Sequence, residues 1–189
     1  MTKNEIRKEI LARRLGLSDS QASFRSEAIC RRIISDDIFI TASVIGLYWP
    51  FRKEVLTQSL FRTAVSERKR VGFPLVRADD HTITYIAVDD PAEMRTGTYG
   101  IVEPRFDVNR VIRPEELDLI IIPGVAFDRR GYRIGYGVGY FDRLLTGDAV
   151  TATRAAPAFD IQIVDRVPQK DHDRKVDIIF TESRVIKCS

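Results

Sequence analysis

Four consecutive large aliphatic residues, Leu119-Ile120-Ile121-Ile122, run directly into Pro123 and constrain the fold more than any other part of the chain. Successive side chains of a strand point to opposite faces, so a strand with one wet face alternates apolar and polar residues. This run does not alternate, so both of its faces are buried. Strands of that kind belong to parallel sheets covered by helices. Helical and strand patterns alternate along the rest of the chain. The expectation is an α/β fold, a three-layer sandwich with a mostly parallel central sheet, in one domain over residues 1–189. A chain of 189 residues can bury such a core without disulfide staples.

The apolar spacing predicts the elements. Residues 3–17 read as an amphipathic helix with Ile6, Ile10 and Leu17 on one side and Leu15 near them. Lys3 and Arg7 are four apart and share a face. Ser18 and Gln21 form a capping box that starts a second helix, running to about Ile34 and burying Ala22, Ile29 and Ile33. A strand is predicted from Val44 to Trp49, ended by Pro50, and a helix over 54–68. Short strands follow at 71–76 and 83–88. An irregular stretch at 89–116, with three prolines, is expected to fold over the surface. Later strands are predicted near 158–164 and 176–181, and a helix restarts at Tyr140.

Several function classes are excluded. Cys30 and Cys188 lie at opposite ends of the chain, the only histidines are His81 and His172, and no CxxC pair occurs, so a zinc site is not expected. No apolar run reaches the length of a membrane span, and the charged N-terminus lacks a signal-peptide core. A soluble, cytoplasmic protein is expected. The net charge is +3, too weak to argue for nucleic acid, and there is no long basic run. Arginine supplies 23 of the 30 basic residues, which suits contact with phosphate or carboxylate but equally reflects a GC-rich genome.

The glycines are concentrated: six of 11 fall between Gly124 and Gly147, and Gly135, Gly137 and Gly139 alternate. The stretch is neither a dinucleotide fingerprint nor a Walker A loop. Two readings are open. The glycines serve the turn geometry of a surface hairpin, or they let successive amides approach an anion as a nest. In the second reading a helix starting near Tyr140 adds its N-terminal amides and dipole. Arg133 then supplies a cation, and Asp142 is placed to hold a Mg²⁺ bridging phosphate oxygens.

The run Ile122-Pro123-Gly124-Val125-Ala126-Phe127-Asp128, then Gly131 and Arg133-Ile134-Gly135-Tyr136-Gly137-Val138-Gly139-Tyr140-Phe141-Asp142, resembles the 5-formyltetrahydrofolate cyclo-ligase family. Lys3-x-x-x-Arg7, Tyr48-Trp49-Pro50 with Glu54-x-x-Thr57, and Gly100-x-x-Glu103-Pro104 match in order. So do Gln162-x-x-Asp165-x-Val167-Pro168, His172-Asp173 and Val176-Asp177 to Thr181-Glu182.

The resemblance implies a NagB/RpiA/CoA transferase-like sheet sandwich and the ATP- and Mg²⁺-dependent closure of 5-formyltetrahydrofolate to 5,10-methenyltetrahydrofolate, through an iminium phosphate. It implies nucleotide contacts from Lys3, Arg7 and the run Arg133, Ile134, Gly135, Tyr136, Gly137, Val138, Gly139, Tyr140, Phe141. Arg133, Tyr136 and Tyr140 would position the transferring phosphoryl group. Folate contacts fall on Trp49, Glu54 and residues 136–140, and the metal on Asp142 and Asp173. Small molecules, ATP and a reduced folate, are the expected partners of a monomer or weak dimer. From the residues alone, Trp49 is as readily a core aromatic, Lys3 and Arg7 a solvated helix end, and His172 a structural histidine. Arg52 or Lys53 would meet the glutamate tail. The chain departs from the pattern at Tyr136 and Val138, where basic residues are common, at Phe141 for Tyr and at Asp171 for Glu. A folate- or nucleotide-binding paralogue without turnover is therefore the alternative.

Overall fold

The aliphatic run forms the middle of an eight-stranded sheet. The computed structural model describes residues 1–77, 79, 81–97, 100–146, 151–171 and 173–188; His172 and Gly147 lie outside them. Strand β7 (Leu119–Ile121) pairs in parallel with β1 (Val44–Gly46) on one side and β10 (Thr153–Pro157) on the other. Its side chains divide between two cores as the strand period requires. Leu119 and Ile121 join the core that also holds Ile29, Ile33, Phe39 and Leu60. Ile120 and Ile122 join the opposite core with Phe127, Leu145 and Ile179.

The sheet continues outward from β1 through β2 (Arg70–Arg77), β3 (Thr82–Ala87) and β6 (Val111–Ile112). It continues from β10 through β11 (Ile178–Phe180) and β12 (Val185–Lys187). The four pairings around β7 and β1 and out to β2 and β11 are parallel, and the outer β3, β6 and β12 are antiparallel.

One face is covered by α2 (Asp19–Ile34), α3 (Asp37–Ile40) and α4 (Gln58–Ser66). The other outer layer is thinner. It consists of α5 (Tyr140–Leu144), the β8–β9 hairpin (Ala126–Phe127 and Arg133–Ile134) and irregular chain. Helix α1 (Lys3–Leu15) packs at the sheet end, with Ile6 and Ile10 against Val125, Ala126 and Ile134. Both α1 and α2 begin with reciprocal capping boxes, Thr2 with Glu5 and Ser18 with Gln21. No helix among the described residues is long and apolar enough to cross a membrane.

Four local expectations differ from the structure. The helix expected over 54–68 begins at Gln58 because residues 51–54 are folded into a tight turn. The strand expected at 44–49 stops at Gly46. The late strand lies at 153–157 rather than 158–164, where residues 160–162 form a 3-10 turn instead. Leu15 is exposed; the position completing the Ile6–Ile10 stripe at helical spacing is Arg14, which is wholly buried.

Candidate active site

The chain leaves β1 toward β2 on one side of the sheet and leaves β7 toward β10 on the other. The crevice at the C-terminal ends of these two adjacent strands is therefore the switch point, where open α/β sheets bind ligands. The two segments that leave those ends are residues 47–57 and 122–139. They contain Trp49, Glu54 and Arg133 to Gly139 of the site residues expected from sequence; Lys3, Arg7, Tyr140, Phe141, Asp142 and Asp173 come from neighbouring segments.

After Pro123 the chain makes the β8–β9 hairpin, closed by a turn around Asp128. The buried Asp128 carboxylate accepts from the amides of Arg130, Tyr132 and Val167 and from the Arg130 guanidinium. The glycine loop follows. Gly137 (φ 107°) and Gly139 (φ 81°) both occupy left-handed backbone that side chains rarely adopt, and Gly139 caps α5. Around Gly135 there is open space. Helix α5 has five residues, so its dipole is weaker than a full helix would bring.

Cations and carboxylates from distant segments meet around this loop. The Lys3 ammonium lies 2.5 Å from Asp173 Oδ2, which also accepts from the Lys170 amide at 2.6 Å. One helical turn on, Arg7 Nε donates to the Gly135 carbonyl at 2.8 Å. Arg133 is 7% exposed, its Nη2 bonded to Asp142 Oδ1 at 2.9 Å and its Nη1 to the Arg174 carbonyl at 2.6 Å. Burial works against the Arg133 charge, and Asp142 and then Asp173 offset that penalty. Both expected metal ligands therefore stand around one guanidinium. Arg143 reaches back to the Val138 carbonyl at 2.9 Å.

The segment after β1 presents Glu54. Arg52 (φ 46°) and Lys53 (φ 55°) are both left-handed, and the Glu54 amide closes the turn on the Phe51 carbonyl at 3.0 Å. This pair of positive φ values is the geometry of a type I′ turn. The Glu54 side chain folds back so that Oε2 accepts from the Phe51 amide at 3.0 Å, while Oε1 is buried with no hydrogen bond. Burial pushes the Glu54 carboxyl up to about 7, with Arg14 the main influence pulling it down. Phe51 meets Tyr136 edge-on at 6.0 Å, so the two segments touch.

The chain matches the family model described as the 5-formyltetrahydrofolate cyclo-ligase family over residues 1–182. The chain belongs to the 5-formyltetrahydrofolate cyclo-ligase family. It is 28% identical to the 5-formyltetrahydrofolate cyclo-ligase of Escherichia coli, over 93% of this chain and 98% of that one. It is 27% identical to that of Haemophilus influenzae, over 90% and 92%. A 5,10-methenyltetrahydrofolate synthetase of Aquifex aeolicus, solved by NMR, superposes with a TM-score of 0.86 at 34% identity, covering 99% of this chain and 93% of that chain. One from Mycoplasma pneumoniae gives 0.78 at 25%, over 96% and 99%.

Among the residues that the family resemblance singled out, Lys3, Arg7, Arg133, Gly135, Asp142 and Asp173 come together. Ile134 and Phe141 are different: Ile134 packs with Ile6 and Ile10 of α1 and Phe141 against the core that holds Ile120, leaving their backbone for any ligand. Tyr140 sets its ring edge-on to His81 at 5.8 Å. Trp49 is half-buried with its ring edge-on to Phe73 at 6.0 Å, so it is partly the core aromatic that its sequence also allowed. Lys53 is tied to the Leu17 carbonyl and to Asp19, and Arg52 lies over the Phe51 ring. Sequence reasoning missed Arg14, whose only signal was its place on the Ile6–Ile10 stripe.

Proposed function

We propose that this chain closes 5-formyltetrahydrofolate to 5,10-methenyltetrahydrofolate while ATP is converted to ADP and phosphate. The observation that carries the reading is the meeting of two unlike half-sites at one switch point. One is a glycine loop flanked by Lys3, Arg7 and Arg133. The other is a buried, half-satisfied carboxylate, Glu54, on the same segment after β1 as the half-buried Trp49.

The formyl group is an amide: its nitrogen donates into the carbonyl, and its oxygen leaves poorly. Transfer of the γ-phosphoryl group to that oxygen gives an iminium phosphate. The second folate nitrogen attacks its carbon, which closes the ring and releases that nitrogen's proton, and expulsion of phosphate then leaves the methenyl cation. Such a transfer needs positioning and charge stabilisation rather than a protein nucleophile. Here Lys3 and Arg7 hold phosphate oxygens from one face of α1, the loop amides cradle them, and Arg133 fixes the carboxylates. Glu54 accepts from pterin N–H groups, and Trp49 offers a flat face.

Mg²⁺ fits as a phosphate-borne ion. Among the described residues no group of three or more His, Cys, Asp or Glu side chains forms a cage, whereas Mg²⁺ commonly uses one or two carboxylates plus phosphate oxygens. Asp142 and Asp173, now paired with Arg133 and Lys3, would be the carboxylates that hold such an ion, which would neutralise charge on the transferring group.

The test is to mix the purified protein with 5-formyltetrahydrofolate and MgATP and follow the near-UV absorbance of the methenyl product. ATP-dependent growth of that band is expected. A protein that binds the folate yet never produces the band would overturn the reading in favour of a binding-only paralogue.

A further inference from the structure

Helix α1 carries a fully buried arginine at the base of the crevice. Arg14 Nη1 donates to the Gly124 carbonyl at 3.0 Å and Nη2 to the Tyr136 hydroxyl at 2.5 Å, while Nε is buried without a partner. A buried guanidinium is costly unless a counter-charge stands near it. Glu54 supplies that charge, and the attraction between the two groups is felt at the carboxyl. Between them lies the Tyr136 hydroxyl. A guanidinium can only donate, so the phenol oxygen accepts from Arg14 and its own proton is left to give. The Glu54 carboxylate, whose Oε2 accepts from the Phe51 amide and whose Oε1 has no hydrogen-bond partner, stands close enough to interact with that hydroxyl.

We infer that Arg14 is a positioning residue of the folate half-site: through the Tyr136 hydroxyl it holds Glu54 as an oriented carboxylate whose vacant oxygen, Oε1, receives an N–H of the pterin. The inference rests on the reading of Glu54 as the pterin partner and adds the residue that prepares it. Arg14 makes both of its bonds to the glycine-loop side of the crevice, at Gly124 and Tyr136, and so links the nucleotide half-site to the folate half-site.

The groups facing Glu54 are few. Arg14 comes from α1, Tyr136 from the glycine loop, and Tyr48 and the Phe51 amide from its own segment. The Tyr48 hydroxyl is committed to the Val55 carbonyl at 2.9 Å and burial holds its proton on. Burial and Glu54 likewise push the Tyr136 phenol up to about 12, so it remains a donor. Arg14 is thus the one cation of this group that favours the ionised form of Glu54.

The experiment is calorimetric binding of 5-formyltetrahydrofolate without ATP, at pH 6 and pH 9. The proteins compared are the parent, Arg14→Met, Tyr136→Phe and Glu54→Gln. Without Arg14 the carboxylate holds its proton to higher pH, and each unit of such a shift weakens binding about tenfold below it. Arg14→Met is expected to bind about tenfold more weakly than the parent at pH 6 and equally well at pH 9. Tyr136→Phe is expected to lose about threefold at pH 6 only. A weakening equal at both pH values, or none, overturns the inference. If Arg14→Met does not fold, Tyr136→Phe decides by the same criterion, since this partly exposed ring keeps its contact with Phe51. Glu54→Gln separates the two levels. If it leaves binding unchanged at both pH values, Glu54 is not the pterin partner and both readings fall. If it weakens binding while Arg14→Met shows no pH-dependent loss, only the role of Arg14 falls.

Discussion

A carboxyl group held at about 7 inside a protein is a destabilising choice that a ligand can redeem. Glu54 has an ordinary value of 4.5, raised chiefly by burial. The folded state thus binds this proton more tightly than the unfolded chain does. The stability this contributes is complete below about pH 4.5 and is lost as pH rises toward 7. Glu54→Gln removes that loss while keeping the shape. The variant is expected to be more stable than the parent by about 1–3 kcal/mol at pH 9 and to show no gain at pH 4. Thermal melts at the two pH values check this, and equal differences at both would contradict the burial argument. The family resemblance singled out Glu54, through the Tyr48-Trp49-Pro50 and Glu54-x-x-Thr57 match, but did not reveal Arg14. Its partners, Gly124 and Tyr136, lie 110 and 122 residues away. An arginine in a charged helix reads as solvated until the helix is docked.

At the scale of elements, the glycine loop separates two demands that its alternating pattern merges. Gly137 is required by its backbone, at φ 107°. Gly135 has ordinary φ and open space where a Cβ would stand. Gly137→Ala is expected to cost about 1–3 kcal/mol of stability through strain. Gly135→Ala should melt like the parent yet raise KM for ATP several-fold, because its methyl would enter the space proposed for the phosphates. A Gly135→Ala enzyme with unchanged KM for ATP would show that the loop does not hold the nucleotide there.

Element positions were legible where apolar periodicity is strong, as in α1, α2 and β7. They were less so where the sheet interior has room only for small residues. In β10, Ala155 and Ala156 each enter a different core. Alanine has weak strand preference, so the local pattern pointed instead to the residues that follow. Helix α4 starts late for a related reason: Glu54 and Thr57 are engaged with Phe51 and Tyr48 rather than with a helix.

For the whole molecule, sheet order joins what the chain keeps apart. Lys3 and Asp173 are 170 residues apart and form one ion pair. The resemblance implied a nucleotide contact for Lys3 and a metal role for Asp173 without pairing the two, and spacing could not pair them, because no local pattern records which strands are neighbours. The switch between β1 and β7 brings the Glu54 turn and the glycine loop to one crevice. In the proposed reaction, that arrangement would let an ATP site and a folate site share a reacting oxygen. An isotope follows that oxygen directly. With ¹⁸O in the formyl group of 5-formyltetrahydrofolate, and MgATP present, the label is predicted to appear in the released phosphate, one atom per methenyl product formed. Methenyl product accompanied by unlabelled phosphate would contradict transfer to the formyl oxygen and, with it, the proposed chemistry of the site.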